Sequence, residues 1–398
     1  MAKKKRKLRA NFRKNTNSRT RANDLTRRFG TDEAGDADEA GAPDERVSGK
    51  GRLTRRRTIA GGEVVEDATG EVILPEVDTS VCLEGRVLRV QGLVSRVEAS
   101  DSHVYRCATR QVLKQLSTGL RHVVAAGDHV WIRPEAALGA PSGEPRRGKH
   151  AEREGIIERV EPRYGALSRT SRGRQQVIAA NIDQVLIVAS AAEPRIKPNL
   201  IDRYLITCER TGIRPIIGVN KVDLIEPADL MPLVGVYAQL GYEVVLLSTV
   251  TGAGVDRLRA MLAGKQTALA GQSGVGKSSL LNAIHPGLGL RVNAVSAESQ
   301  KGRHTTTTAE VFPFGGASGG RGFVVDTPGI RQFALWDVIP EEVPAYFREL
   351  RPYVSQCRFP DCTHTHEDPC AVKDAVADGW IDTRRYESYL QIQAGDEA

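Results

Sequence analysis

The segment GQSGVGKSS, Gly271 to Ser279, has the residue types and spacing that cradle phosphate. Its glycines, Gly271, Gly274 and Gly276, let the backbone N–H groups of Gln272, Ser273 and Val275 curl round an anion. A strand-like TALA precedes the loop and a helix-like SSLLNAI follows it, so a helix N-terminus adds partial positive charge. Lys277 is expected to reach the β- and γ-phosphates, the Ser278 hydroxyl to ligate Mg²⁺, and Ser279 to close the loop. A loop of this kind does not select the base. NKVD, Asn220 to Asp223, supplies that selection. The Asp223 carboxylate can accept from the N1–H and exocyclic amine of guanine together, whereas adenine offers no such donor pair. Asn220 would fix the loop, the Lys221 stem would cover the ring, and Val222 completes the turn. Ser248, in the stretch Leu247 to Thr249, is a candidate for backing the base.

Two further segments belong to the same chemistry. DTPG ends the strand-like FVV, so Asp326 is expected to hold Mg²⁺ through water and the Gly329 N–H to meet the γ-phosphate. GRHTTTT, Gly302 to Thr308, lies where a first switch would stand, with Thr306 or a neighbouring Thr as a third Mg²⁺ ligand. Ile330 follows DTPG, and an aliphatic side chain cannot orient water. His304 is then the local candidate for positioning or deprotonating water, so the expected catalytic set is His304, Lys277 and Thr306. NKVD precedes the phosphate loop by about fifty residues and DTPG comes last, so one sheet forms only if the order of its strands is circularly permuted.

Beyond DTPG, CRFPDCTHTHEDPC holds Cys357, Cys362, His364, His366 and Cys370. Three thiolates and one imidazole make a closed tetrahedral zinc site with a structural role, the imidazole being His364 or His366.

The elements that must position these groups divide the chain into four. Residues 1–75 read as a disordered extension, basic, then acidic, then basic again. Residues 76–165 contain GRVLRVQGLVSRVEA, HVYRCAT and DHVWIRPE, short Val-rich strands of a small OB-fold β-barrel, with 137–154 as a polar loop. Residues 166–336 alternate buried-strand runs such as QVLIVAS and PIIGVN with helical stretches such as NLIDRYLITCERTG, the pattern of a wound parallel α/β sheet. Residues 337–398 read as a helical zinc-binding domain. Residues 1–28 carry twelve Lys/Arg and one acid, a net +11 in a chain of net +7, so the remainder is −4. Such a block favours polyanions, RNA first, through counterion release. No run of about 18 apolar residues or secretory signal occurs, and the sparse cysteines suit the reducing cytosol, so a cytoplasmic protein without a membrane span is expected.

With NKVD–GQSGVGKSS–GRHTTT–DTPG followed by CRFPDCTH…C, residues 80–395 resemble the small-ribosomal-subunit biogenesis GTPases, the RsgA or YjeQ family. The resemblance implies an OB-fold barrel, a circularly permuted GTPase core and a C-terminal zinc domain. It implies one structural zinc on Cys357, Cys362, His364 and Cys370, Mg²⁺ with GTP, and catalytic help from the His304 position. It also implies late maturation of the small subunit and its rRNA, GTP hydrolysis stimulated by that subunit, and release afterwards. Nothing in the sequence calls for more than a monomer. The competing reading is an RNA-binding assembly factor whose guanine nucleotide is structural.

Overall fold

The structure is a computed structural model that describes residues 7–11, 47–48, 56–60, 62–116, 120–135, 153–171, 174–288, 309–315, 321–326 and 338–395. They fall into two compact units that divide between Asn181 and Ile182, with 309–311 grouped with the first.

The first unit opens with strands β1 (Lys7–Asn11), β2 (Val47–Ser48) and β3 (Arg56–Ala60), which pair as β1-β3-β2. A hairpin follows, β4 (Gly62–Asp67) and β5 (Gly70–Pro75). The sequence reading expected the whole of 1–75 to be unstructured, and the structure differs. Paired β-branched residues, Val64–Val65 and Val72–Ile73, suit β4 and β5 to strands, and Asp67 caps the turn by accepting from the Thr69 N–H at 2.7 Å. Asp67 also accepts from the Arg163 N–H at 3.1 Å and Ala68 N–H donates to the Arg163 carbonyl at 2.8 Å, which ties the hairpin to the barrel.

The barrel comprises β6 (Leu83–Gln91), β7 (Val94–Ala99), β8 (Val104–Thr109), helix α1 (Gln111–Leu116), β9 (His129–Pro134) and β10 (Arg153–Val160). Its strands run β6-β7-β8-β10-β9 and close on β6, with β8 and β10 parallel and the other pairs antiparallel. That order, with a helix between the third and fourth strands, is the OB-fold. Inward-facing Val87, Val97, Cys107, Val130, Ile132 and Ile157 fill it. Strand β10 begins at the end of the segment read from sequence as a polar loop. The hairpin β11 (Ala166–Ser171) and β12 (Arg174–Ala180) completes this unit, which therefore ends later than the 165/166 boundary drawn from sequence.

The second unit comprises β13 (Gln184–Ser190), α2 (Pro198–Thr211), β14 (Arg214–Asn220), α3 (Met231–Gln239), β15 (Glu243–Leu246), α4 (Val255–Leu262), β16 (Gln266–Ala270), α5 (Lys277–Ile284), the part of β17 (Glu310–Phe314) from Phe312 on, β18 (Gly322–Asp326), α6 (Arg351–Val354), α7 (Ala371–Ala377) and α8 (Thr383–Gln393). Five strands form a parallel sheet in the order β15-β14-β13-β16-β18. QVLIVAS is buried at every position of β13, as a strand covered on both faces requires. Leu186, Val188 and Ile216 join Leu258, Leu262, Leu280 and Leu281 of α4 and α5 in one core. Helix α2 lies against β13 and β14, and its C-terminal Gly212 takes the left-handed conformation at φ 67°, as the helix stop read from sequence requires.

Past β18, a 3-10 helix (Pro340–Tyr346) and α6–α8 build a second core. Val343, Phe347, Leu350, Val372, Ile381 and Tyr389 form it, together with Ile206 of α2. The Cys-rich module therefore packs within the same compact unit as the parallel sheet.

Candidate functional site

Parallel register brings the carboxyl ends of three strands to one edge. Ser190 of β13 lies opposite Asn220 of β14, and Ile187 opposite Ala270 of β16. Ligands of open α/β sheets bind at this edge. Residues 271–276 leave β16 and curl to the N-terminus of α5. Gly271 passes so close to β13 that a Cβ would stand 2.1 Å from the Val188 carbonyl oxygen, and its φ is +134°, so only glycine fits. A Cβ on Gly276 would stand 2.5 Å from the Asn220 amide nitrogen.

That proximity is a bond. Asn220, fully buried, donates its Nδ2–H to the Val275 carbonyl at 2.9 Å. The NKVD turn and the loop of residues 271–276 thus meet at one place. Lys221 adopts the left-handed conformation at φ 61°, and its ammonium hydrogen-bonds to the Glu193 carbonyl. Val222 N–H donates to the Leu247 carbonyl at 3.2 Å, which brings the NKVD turn beside the Ser248 loop. The Ser248 hydroxyl donates to Asp223 Oδ1 at 2.5 Å and accepts from the N–H groups of Val250 and Thr251 at 3.2 and 3.1 Å. Ser248 is fully buried while Asp223 is exposed, so a fixed hydroxyl orients an accessible carboxylate.

Lys277 donates to the carbonyls of Gly271 and Gln272, each at 2.7 Å, which holds its ammonium over the loop. Ser278 and Ser279 lie in the first turn of α5, and Gln272, Ser273 and Gly274 in the loop before it. Asp326 ends β18, in register with Leu269 one residue before the end of β16, at the same edge. His304, Thr306 and Gly329 lie outside the described residues.

The four ligand atoms of Cys357, Cys362, His364 and Cys370 lie within 4.8 Å of one another. Cys357 Sγ is 3.4 Å from His364 Nδ1 and 3.9 Å from Cys370 Sγ, and Cys370 Sγ is 3.6 Å from His364 Nδ1. A tetrahedron with metal–sulfur bonds of about 2.3 Å and metal–nitrogen bonds of about 2.0 Å has edges of about 3.5–3.8 Å. The donor set fits a metal ion of that size. His364, left-handed at φ 58°, turns into the cluster, whereas His366 is exposed and pairs with the Thr365 hydroxyl at 3.0 Å.

The comparisons with known proteins agree with this architecture. Residues 160–336 match the model of the RsgA GTPase family. The chain is similar to the small ribosomal subunit biogenesis GTPase RsgA of Chromohalobacter salexigens, 42% identical over 320 residues, 78% of this chain and 85% of the relative. It is 39% identical to that of Sodalis glossinidius over 315 residues, 78% of this chain and 84% of the relative.

The chain belongs to the RsgA family of GTPases.

It shares the family's GTP-hydrolysing chemistry and its circularly permuted fold. The crystal structure of YjeQ from Thermotoga maritima aligns with a TM-score of 0.61 at 32% identity, over 79% of this chain and 98% of that one. YloQ, described as a circularly permuted GTPase, aligns with a TM-score of 0.56 at 28% identity, over 80% and 97%. The sequence reading missed Tyr204 of α2, which borders one cavity with Gln272 and Val275 of the loop before α5. Burial pushes its phenol up to about 12, and a hydrogen bond from the Gly271 backbone opposes the shift. It also missed fully buried Asp202 and Arg385. The available signal was Asp202 itself, a charge among the apolar residues Ile201, Leu205 and Ile206 of an amphipathic helix.

Proposed function

We propose that this chain hydrolyses GTP to GDP and phosphate on the small ribosomal subunit, assists that subunit's late maturation and leaves after hydrolysis. The Asn220 to Val275 hydrogen bond supports the reading best, because it holds the NKVD turn against the loop of residues 271–276. Asp223, steadied by Ser248, selects guanine, and the backbone of Gly271 to Gly276 with Lys277 takes the phosphates. Ser278, Thr306 and Asp326 are the residues to hold Mg²⁺, which would neutralise charge on the phosphates. His304 positions the attacking water, since Ile330 cannot. Cys357, Cys362, His364 and Cys370 hold one zinc ion, whose four protein ligands leave no open position and make it structural. The barrel, the basic residues 1–28 and the zinc module face ribosomal RNA, and the protein acts as a cytoplasmic monomer. Among the described residues no helix is long and apolar enough to cross a membrane.

The test is GTP turnover with and without purified small subunits, for the wild type and His304→Ala. Subunits should accelerate the wild type, and the variant should bind GTP yet lose the acceleration. Equal subunit affinity with GDP and with a non-hydrolysable GTP analogue, without acceleration, would favour an assembly factor with a structural nucleotide.

A further inference from the structure

Helix α2 stands between the zinc module and the phosphate loop and presents a different face to each. At 100° per residue, Asp202, Ile206 and Glu209 share one face, and Tyr204, two residues from Asp202, points some 200° away. The module grips the first face. Ile206 belongs to the module's apolar core. Asp202 pairs with Arg385 of α8 at 2.5 Å, both fully buried, and Glu209 pairs with Arg348 and Arg351, each at 2.6 Å. Arg385 also meets Glu349 at 2.6 Å, and Tyr237 of α3 donates to Asp202 at 2.7 Å. The same α8 reaches the Cys/His loop, because Tyr386 donates to the His364 carbonyl at 2.7 Å and Tyr389 to the Thr363 carbonyl. On the opposite face Tyr204 borders the phosphate loop, and the Gly271 backbone hydrogen-bonds to its hydroxyl.

We propose that Arg385 and Tyr204 are positioning residues for the phosphate loop: Arg385, anchored on α8 beside the zinc ligands, fixes α2 through Asp202, and α2 fixes Gly271 through Tyr204. The proposal rests on the reading of Gly271 to Ser279 as the nucleotide loop. The physical content is that an ion pair buried without solvent screening tolerates little displacement. A helix held at Asp202 therefore offers the loop a fixed support. Binding of nucleotide then includes no cost of ordering α2, and loosening either contact restores that cost.

The experiment measures binding of a fluorescent GDP analogue to the full-length zinc-loaded protein, alongside zinc content and thermal unfolding. The proteins are wild type, Tyr204→Phe, Arg385→Gln and the double variant. Tyr204→Phe removes one hydroxyl and keeps the ring, so it remains informative should Arg385→Gln fold poorly. Each single variant should weaken nucleotide binding about five- to tenfold, with one zinc per chain retained, at a temperature well below unfolding. The double variant should bind about as the weaker single does, because both changes break one chain of contacts. A purely structural role for Arg385 would lower the unfolding temperature and leave affinity unchanged. Unchanged affinity in Tyr204→Phe, or losses that multiply in the double variant, overturn the proposal. If the wild type itself bound no guanine nucleotide, the assignment of the site would fail instead.

Discussion

Asp223→Asn changes one atom, and the geometry fixes which way that atom points. The Ser248 oxygen already accepts two backbone N–H bonds, from Val250 and Thr251, so its own hydrogen goes to Asp223 Oδ1 at 2.5 Å. In the variant the amide oxygen must keep that place, because the amide nitrogen would present hydrogens to a hydroxyl hydrogen. The NH₂ group then replaces Oδ2, the oxygen free to meet the base. A carboxylate that accepts from guanine N1–H and its exocyclic amine becomes a donor facing donors. The charge-assisted bond made by Oδ2, worth about 1.5–3 kcal/mol, is lost, and the donor facing a donor in its place leaves a polar group unsatisfied at a similar cost, about 3–6 kcal/mol together. That is a fall of about 10²- to 10⁴-fold in GDP affinity. Xanthine carries a carbonyl where guanine carries the amine, so XDP affinity should rise in the same protein. Competition of GDP, XDP and ADP against a fluorescent nucleotide reads all three. Adding Ser248→Ala frees the amide to rotate and should recover part of the GDP affinity. GDP binding within about threefold of wild type in Asp223→Asn would refute the assignment of the base-reading carboxylate.

Gly271→Ala should abolish nucleotide binding, because its Cβ would stand 2.1 Å from the Val188 carbonyl at a φ that disfavours side chains; calorimetric titration with GDP checks it. Zinc removal by a chelator should lower the unfolding temperature by more than about 5 °C, since Cys370 belongs both to the metal cluster and to the core around Phe347 and Tyr389. His129 gives the barrel a pH dependence. Burial and the neighbouring Arg86, at 2.9 Å, hold its imidazole below its ordinary 6.5, against the opposing pull of Asp128, Glu161 and Glu84. The unfolded chain therefore binds a proton that the folded barrel refuses. Stability is intact above pH 6.5 and declines as the pH falls from there toward the lowered value. Thermal unfolding between pH 7.5 and 5 should show that decline, and His129→Gln should flatten it.

The sheet and the tight loop between β16 and α5 were legible in the sequence because each rests on local rules. QVLIVAS could only be a strand buried on both faces, and Gly271, Gly276 and Lys277 have no other economical use at that spacing. Gly212 marked the end of α2 for the same reason. Contacts made at long range were not legible. Nothing local to Asn220 announces a bond to Val275, fifty-five residues on, and nothing in RRYESYLQIQ says that Arg385 meets Asp202. The hairpin 62–75 was read as extension because its strands are short and lie next to a charge-rich stretch. Its attachment at Arg163 is again remote in sequence, and so is the pairing of β10 with β8.

Circular permutation is tolerated here because register, not chain order, assembles the site. Leu186 stands opposite both Ile216 and Leu269, so β14 and β16 are level against β13 although about fifty residues separate them. Strand β14 then runs past that level as far as Asn220, and the loop after β16 climbs to meet it at Val275. No step in this geometry depends on which strand the ribosome made first. What permutation changes is the attachment of the next module. The chain leaves the sheet after β18, which carries Asp326, yet the module that follows is clamped to α2, an element from the opposite end of the sheet's sequence. The Cys-rich module is therefore held at two places: covalently beyond Asp326 and by Asp202, Ile206 and Glu209 on α2. A motion in the covalent link alone would have to break the buried Arg385 pair to carry the module away. The module and the loop of residues 271–276 thus share α2 as a support, while the route past Asp326 connects the module to the carboxyl edge of the sheet, where that loop also stands.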